Sequence, residues 1–357
     1  MSLNGIDQMN LQLAHDGPLA FNVEEVLRDA YAVLLPAFST ADFNEESWDF
    51  FTRGGIAALL GSTREEYVAR RMNSNRCFYE TPEMLRHYRA RASLIAGDVL
   101  IAIDYEIGGV HRLHDLGPQL SHPSAAADMA SREVEEFGRN AATAAKKVGV
   151  NFFLSPVVDV VAGPNPWLLN RSISADPAVV ARITSAFIIG AQSAGVPATA
   201  KHFPGHHIAA EDPFDSSTVV VPGTLKDLEP GFLPFRSAIE AGVKAIMTGP
   251  IPVPAIDDSQ PSSTSAKMVR MLRTEFGFGG LIVSDDLDLP GTMRGRPLED
   301  VAVTALAAGV ELLLLASGPQ VHAVAKHITS SAAEGRLDVQ VLRSAAQKVR
   351  WLAKQAA

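Results

Sequence analysis

The segment Gly280-Leu281-Ile282-Val283-Ser284-Asp285-Asp286 carries the pattern on which the architecture turns. Three bulky apolar residues run directly into three polar ones. A short, wholly apolar run reads as a strand buried on both faces, as in a parallel sheet covered by helices. Charged residues placed straight after such a strand need a partner or a cavity, because burying a charge unpaired is costly. Seven further runs share this character, at 32–38, 56–60, 99–104, 150–157, 198–202, 245–248 and 311–315.

Helical punctuation separates the runs. Asp176-Pro177 reads as an N-cap with a first-turn proline, Gly195 closes that helix, and Val179, Ile183, Ala186 and Phe187 share one face. Val134, Phe137, Ala141, Ala144 and Val148 form a similar stripe within 124–149. Helices are predicted over 235–241 and 300–308, stopped by Gly242 and Gly309, and over 319–333 and 339–354 at the end. Eight strand–helix alternations predict an α/β fold, a single (β/α)8 barrel of the TIM type. Residues 1–22 read as a short N-terminal extension and 23–357 as the barrel domain. No GxGxxG follows a strand and no GxxxxGK[ST] occurs, so a nucleotide site has no motif behind it.

Composition narrows the function. Of 357 residues 47% are hydrophobic and 20% charged, a globular balance. Lys and Arg number 31 against 40 Asp and Glu, a net charge of −9 that argues against nucleic-acid or anionic-membrane partners. The single cysteine, Cys77, excludes an internal disulfide and a cysteine-based zinc site. No apolar run reaches the ~18 residues of a membrane span. Asn4, Asp7, Asn10, His15 and Asp16 interrupt any leader-like stretch, so a cytoplasmic location is expected.

In a barrel of this type chemistry gathers at the C-terminal strand ends. Those ends carry Asp104, Glu106 and Arg112, then Asp159 and Arg171, then Lys201-His202, then Ser284-Asp285-Asp286. Such a set can grip a many-hydroxylated ligand, and one carboxylate can attack a sugar carbon. Spacing alone leaves other barrel hydrolases open, including a metal-dependent one using His202, His206, His207 and Asp212. No HxH strand motif accompanies that set.

At these residues the chain resembles glycoside hydrolase family 3, in its single-domain bacterial β-N-acetylhexosaminidase branch. Lys201-His202-Phe203-Pro204-Gly205-His206 is similar to that branch's KHFPGHG motif, and 280–287 to its nucleophile strand. The 101–112 segment, ending Val110-His111-Arg112, is similar to IAVDQEGGRVQR. Ser155-Pro156-Val157-Val158-Asp159, with Asn170-Arg171-Ser172 and Asp176-Pro177, is similar to APVLD…RSF…DP. Residues 242–247 and 261–265 also fit, and the collinear match runs from about residue 30 to 357. The resemblance implies a carbohydrate substrate, an amino-sugar glycoside, with neither cofactor nor metal. Asp285 matches the catalytic nucleophile, while Asp104, Arg112, Arg171, Lys201 and His202 match substrate-binding residues. Glu106 and Asp159 are expected to be structural. Asp286 stands evenly between support of the strand end and chemistry.

The match breaks on the loop after the fifth strand. There the family places an Asp-Ser-His triplet whose histidine is the general acid and base. In one register Asp212-Pro213-Phe214 puts Phe214 at the histidine position, and in the other Asp215-Ser216-Ser217 puts Ser217 there. Neither supplies an imidazole. His207, which replaces the motif's last glycine, is the first candidate for the acid/base, followed by Glu211 and Asp215. The first arginine of the family's Gly-Gly-Arg is also missing, at 107–109, and Thr248-Gly249-Pro250 lacks a histidine common after strand six. The expectation is a retaining β-glycosidase working through a glycosyl-Asp285 intermediate with an atypical acid/base. The alternatives are a phosphorylase or transglycosylase, and a non-catalytic sugar-binding protein on the same scaffold.

Overall fold

A computed structural model describes residues 22–69 and 71–357. The N-terminal extension expected at 1–22 therefore lies, except for Asn22, outside the described residues. Each of the eight expected runs holds a barrel strand, with β5 and β8 extending one residue further: β1 (Leu34–Phe38), β2 (Ala57–Leu60), β3 (Leu100–Ile103), β4 (Phe152–Phe153), β5 (Thr199–Phe203), β6 (Ala245–Thr248), β7 (Leu281–Val283) and β8 (Leu313–Ala316). Their pairing is parallel throughout, in the order β8-β1-β2-β3-β4 and β5-β6-β7. Isolated parallel bridges join the two ladders at both seams, Phe153 with Ala198 and Val283 with Leu312. The strand order is thus cyclic, as a (β/α)8 barrel requires.

The strands are buried on both faces because helices cover the outside and side chains fill the inside. The helix Pro177–Ser193 illustrates how sequence sets position. Asp176 caps it by accepting the Ala178 N–H at 2.8 Å, Pro177 occupies its first turn, and Gly195 follows with a φ of 81°. Its inward face is Val180, Ile183, Phe187 and Ile188, with Val179 only half-buried. Against Ser131–Lys147 it packs at backbone distance: a Cβ on Gly190 would sit 2.0 Å from the Glu135 carbonyl oxygen.

Two elements depart from expectation. The fourth strand spans only Phe152–Phe153, because Pro156 has no N–H for a ladder. Side chains take over there: Asn151 accepts the Ile101 N–H at 2.7 Å, and Ser155 Oγ accepts the Tyr105 N–H at 2.9 Å. The helix before Gly242 spans Leu225–Glu240, starting ten residues earlier than expected and carrying Pro230 and Pro234 inside it. After β6 an antiparallel hairpin, Pro252–Val253 with Asp257–Pro261, extends over the C-terminal face. Among the described residues no helix is long and apolar enough to cross a membrane.

Candidate active site

A cavity of about 530 Å³ opens at the C-terminal strand ends, lined among others by Asp104, Arg171, Lys201, His202, Asp285 and Asp286. Five of those six were singled out as candidate site residues from sequence, and the barrel brings them together from β3, β5 and β7 and the loop after β4.

Asp285 lies two residues past the end of β7. Its N–H donates to the Thr248 carbonyl at 3.1 Å and to Ser263 Oγ at 3.0 Å, which fixes the backbone. Oδ1 accepts the Asp286 N–H at 2.8 Å, while Oδ2 is buried with no hydrogen bond. Burial pushes this carboxyl up to about 6, against the opposing pull of the Asp286 N–H, Arg171, Lys201 and His206. The residue lines the hollow.

The cationic side is held by a buried network. Lys201 Nζ donates to Asp104 Oδ1 at 2.6 Å and lies 2.9 Å from Glu106 Oε1. Arg171 grips Glu106 through NH2 at 2.6 Å and Nε at 3.1 Å, and its NH1 donates to the Tyr67 hydroxyl. Burial alone would raise Glu106, but Arg171 and Lys201 outweigh it and hold the carboxyl well below the usual range. Glu106 is thereby a structural anion, as its sequence context suggested.

Asp159 organises the histidines. One carboxylate oxygen accepts the His202 N–H at 2.9 Å and Nδ1 at 2.8 Å; the other accepts the His206 N–H at 2.8 Å and Nδ1 at 3.2 Å. Burial lowers His202 to about 3 despite Asp159, so its ring is neutral at pH 7 with the proton on Nδ1. His206 fills the space next to Gly249, where a Cβ would come within 2.0 Å of its ring. The set His202, His206, His207 and Asp212 is not assembled: among the described residues no group of three or more His, Cys, Asp or Glu is placed to hold a metal ion.

Two expected residues sit elsewhere. Arg112 is buried away from the cavity lining; its NH2 pairs with Glu80 Oε2 at 2.5 Å and its Nε donates to the Gly61 carbonyl at 3.1 Å. This spends the guanidinium on holding the β2 and β3 loops together instead of on a ligand. His207 likewise does not line the cavity; its ring is half-buried, with Asp227 and His206 as its charged neighbours. The acid/base role expected of it thus has no contact with the cavity behind it. Phe214, the residue at the family's histidine position in the first register, does line the cavity.

Sequence reading missed Tyr67, Trp167 and Arg64, and named Phe214 only as the residue in the histidine's place. Tyr67, Trp167 and Phe214 form one wall, with Tyr67 and Phe214 rings 5.2 Å apart and Trp167 4.5 Å from the His202 ring. Arg64 lies over the Phe214 ring at 4.1 Å and pairs with Asp215 at 3.1 Å, tying the β2 loop to the β5 loop. The one available signal was position: Arg64 follows a buried strand by four residues, as Asp286 follows β7 by three.

Comparison with known proteins bears on this arrangement. A sequence model described as the glycosyl hydrolase family 3 N terminal domain matches residues 37–352. A protein named beta-hexosaminidase from Thiobacillus denitrificans is 31% identical over 243 residues, 64% of this chain and 66% of that one. A glycoside hydrolase family 3 beta-N-acetylglucosaminidase from a Paenibacillus species superimposes with a TM-score of 0.81 at 25% identity, over 92% of this chain and 62% of that one. A glycosyl hydrolase of the same family from Mycobacterium smegmatis gives a TM-score of 0.79 at 25% identity, over 93% of this chain and 98% of that one. The chain thus spans just under two thirds of the first two relatives' length.

Proposed function

Because the chain belongs to glycosyl hydrolase family 3, we propose that it is a retaining β-glycosidase acting on N-acetylhexosaminides. Asp285 would attack the anomeric carbon and carry the sugar as an ester. Lys201, Asp104, Arg171 and His202 would hold the sugar hydroxyls. The observation that carries the reading is the place of Asp285, beside Lys201, Asp104, Arg171 and His202, in the lining of a cavity that accommodates a pyranose. A raised yet ionisable carboxyl suits a nucleophile that must leave again in the second step. The relatives' names supply the amino-sugar part of the proposal. A cytoplasmic location is part of the proposal.

The test is a panel of activated aryl β-glycosides, N-acetylglucosaminide included, assayed with the wild type and Asp285→Ala. The reading requires cleavage by the wild type and its loss in the variant. A wild type inert on every member, or a variant equally active, sinks it.

A second reading, sugar binding without turnover, draws on one observation: no imidazole of the β5 loop lines the cavity. It requires ligand to bind while an activated aryl glycoside stays intact. Product analysis with and without phosphate separates hydrolysis from phosphorolysis.

A further inference from the structure

The missing loop imidazole leaves the leaving-group oxygen without a proton donor, and the cavity contains a replacement. Resting on the glycosidase reading above, we propose that Asp286 is the general acid and base of the reaction, working beside the nucleophile Asp285.

Consecutive residues of an extended strand point to opposite faces. Here the ladder ends at Val283, and the Asp286 N–H folds back onto Asp285 Oδ1 at 2.8 Å. The turn puts both side chains on the same hollow. Neighbouring Cα atoms lie ~3.8 Å apart. Two aspartates with that spacing can hold their carboxyls at the ~5–5.5 Å that retaining glycosidases use.

Other groups are already committed. Glu106 is paired with Arg171 and Lys201, and Asp159 with two histidines. Asp104 is paired with Lys201, and Asp288 accepts the Ala316 N–H at 3.0 Å. Asp212 and Asp215 face Arg64 and do not line the cavity. His202 has its proton turned to Asp159. Among the described residues, no hydrogen bond or ion pair ends on the Asp286 carboxyl. The charged groups around it are Asp285 and Asp288 on its own loop, Asp104 after β3, and Lys201 on β5. Burial and the three carboxylates push it well above the usual range, with only Lys201 opposing. Its surroundings thus favour the protonated form that a general acid needs, in a carboxyl next to the nucleophile's.

In the first step the Asp285 carboxylate forms a bond to the anomeric carbon and the bond to the aglycone oxygen breaks. That oxygen keeps the electron pair, takes the proton from Asp286 and leaves as an alcohol. In the second step the Asp286 carboxylate removes a proton from water while the water oxygen bonds to the anomeric carbon. The ester bond breaks, its electrons return to Asp285, and Asp286 is protonated again.

Asp286→Asn and Asp286→Ala, assayed on alkyl and 2,4-dinitrophenyl β-glycosides across pH, provide the test. On the alkyl glycoside kcat/KM should fall by ~10²–10⁴. On the dinitrophenyl glycoside, which needs no protonation, the fall should stay below about tenfold. The alkaline limb of the pH profile should vanish, and azide should restore turnover of Asp286→Ala by giving the β-glycosyl azide. Equal losses on both substrates with the alkaline limb intact would assign Asp286 to binding or support and overturn the proposal. Full alkyl-glycoside activity in both variants would overturn it too. Either result, with Asp285→Ala inactive and the wild type active, leaves the glycosidase reading standing.

Discussion

His202 and Asp285 face each other across 3.8 Å, Nε2 to Oδ2. Asp159 takes the His202 Nδ1 proton at 2.8 Å, so Nε2 presents a lone pair to a carboxylate oxygen. Two acceptors do not bond to one another. A hydroxyl group placed between them satisfies either one, which makes the pair a ready receptor for a sugar O–H.

Replacing His202 by Ala should therefore lower kcat/KM roughly ten- to hundredfold, the value of one hydrogen bond to or beside a charged group. Asp159→Asn should show a comparable loss, because the amide no longer fixes the imidazole tautomer. Steady-state kinetics on one aryl glycoside check both; an unchanged His202→Ala enzyme would remove the imidazole from ligand contact.

The Asp285 carboxyl, raised from an ordinary 3.8 to about 6, makes two pH predictions. Activity should fall on the acid side with a midpoint near 6, where the nucleophile becomes protonated. Stability has its own sign. The folded state binds this proton more tightly than the unfolded chain, so ionising the group above pH 6 destabilises the fold. Asp285→Asn should then be more stable than the wild type at pH 8, by up to about 3 kcal/mol. The difference should shrink as the pH falls through 6 toward 4. Thermal melts of the two proteins at pH 8 and pH 4.5 measure it.

Arg112→Ala should behave as a stability variant. It takes from Glu80, itself 4% exposed, one of two guanidinium partners and leaves Arg76 at 3.1 Å. Breaking a buried pair outright costs roughly 3–5 kcal/mol, and the partner that remains should hold the loss below that. Substrate KM of the folded fraction should stay near wild type. A raised KM with unchanged melting temperature would return Arg112 to the ligand.

Arg64→Ala should do the reverse. Its pair with Asp215 is exposed, with side chains 40% and 73% accessible, so stability should change by less than about 1 kcal/mol. The guanidinium also covers Phe214 at the cavity. KM should rise and its salt dependence weaken, as measured between low and high ionic strength.

The strands and most helices were legible because they depend on local pattern. Eight apolar runs between capped segments could hardly be placed otherwise, and Asp176, Pro177 and Gly195 mark their helix as capping chemistry dictates. Local pattern also misled: the helix before Gly242 was expected only from residue 235, yet the tertiary fold starts it at Leu225 and carries it through Pro230 and Pro234. The gathering of Asp104, Lys201, His202, Arg171 and Asp285 was legible from strand ends and from family resemblance. Partner choice was not. Arg112 and Glu80 lie far apart in the chain, and nothing local distinguishes a guanidinium that meets a buried glutamate from one that meets a ligand. His207 was misplaced for the same reason, since a loop residue's direction is set by contacts made elsewhere, here beside Asp227.

The two seams of the barrel have a mechanical consequence. Between β4 and β5, and again between β7 and β8, isolated bridges replace regular ladders, yet four backbone hydrogen bonds cross each line, Thr199 N–H to the Ser155 carbonyl at 2.8 Å and Ser284 N–H to the Leu312 carbonyl at 2.9 Å among them. The cylinder is therefore stitched all the way round. Amides along the lines beside His202 and Asp285 should exchange deuterium as slowly as those of the β1–β2–β3 wall.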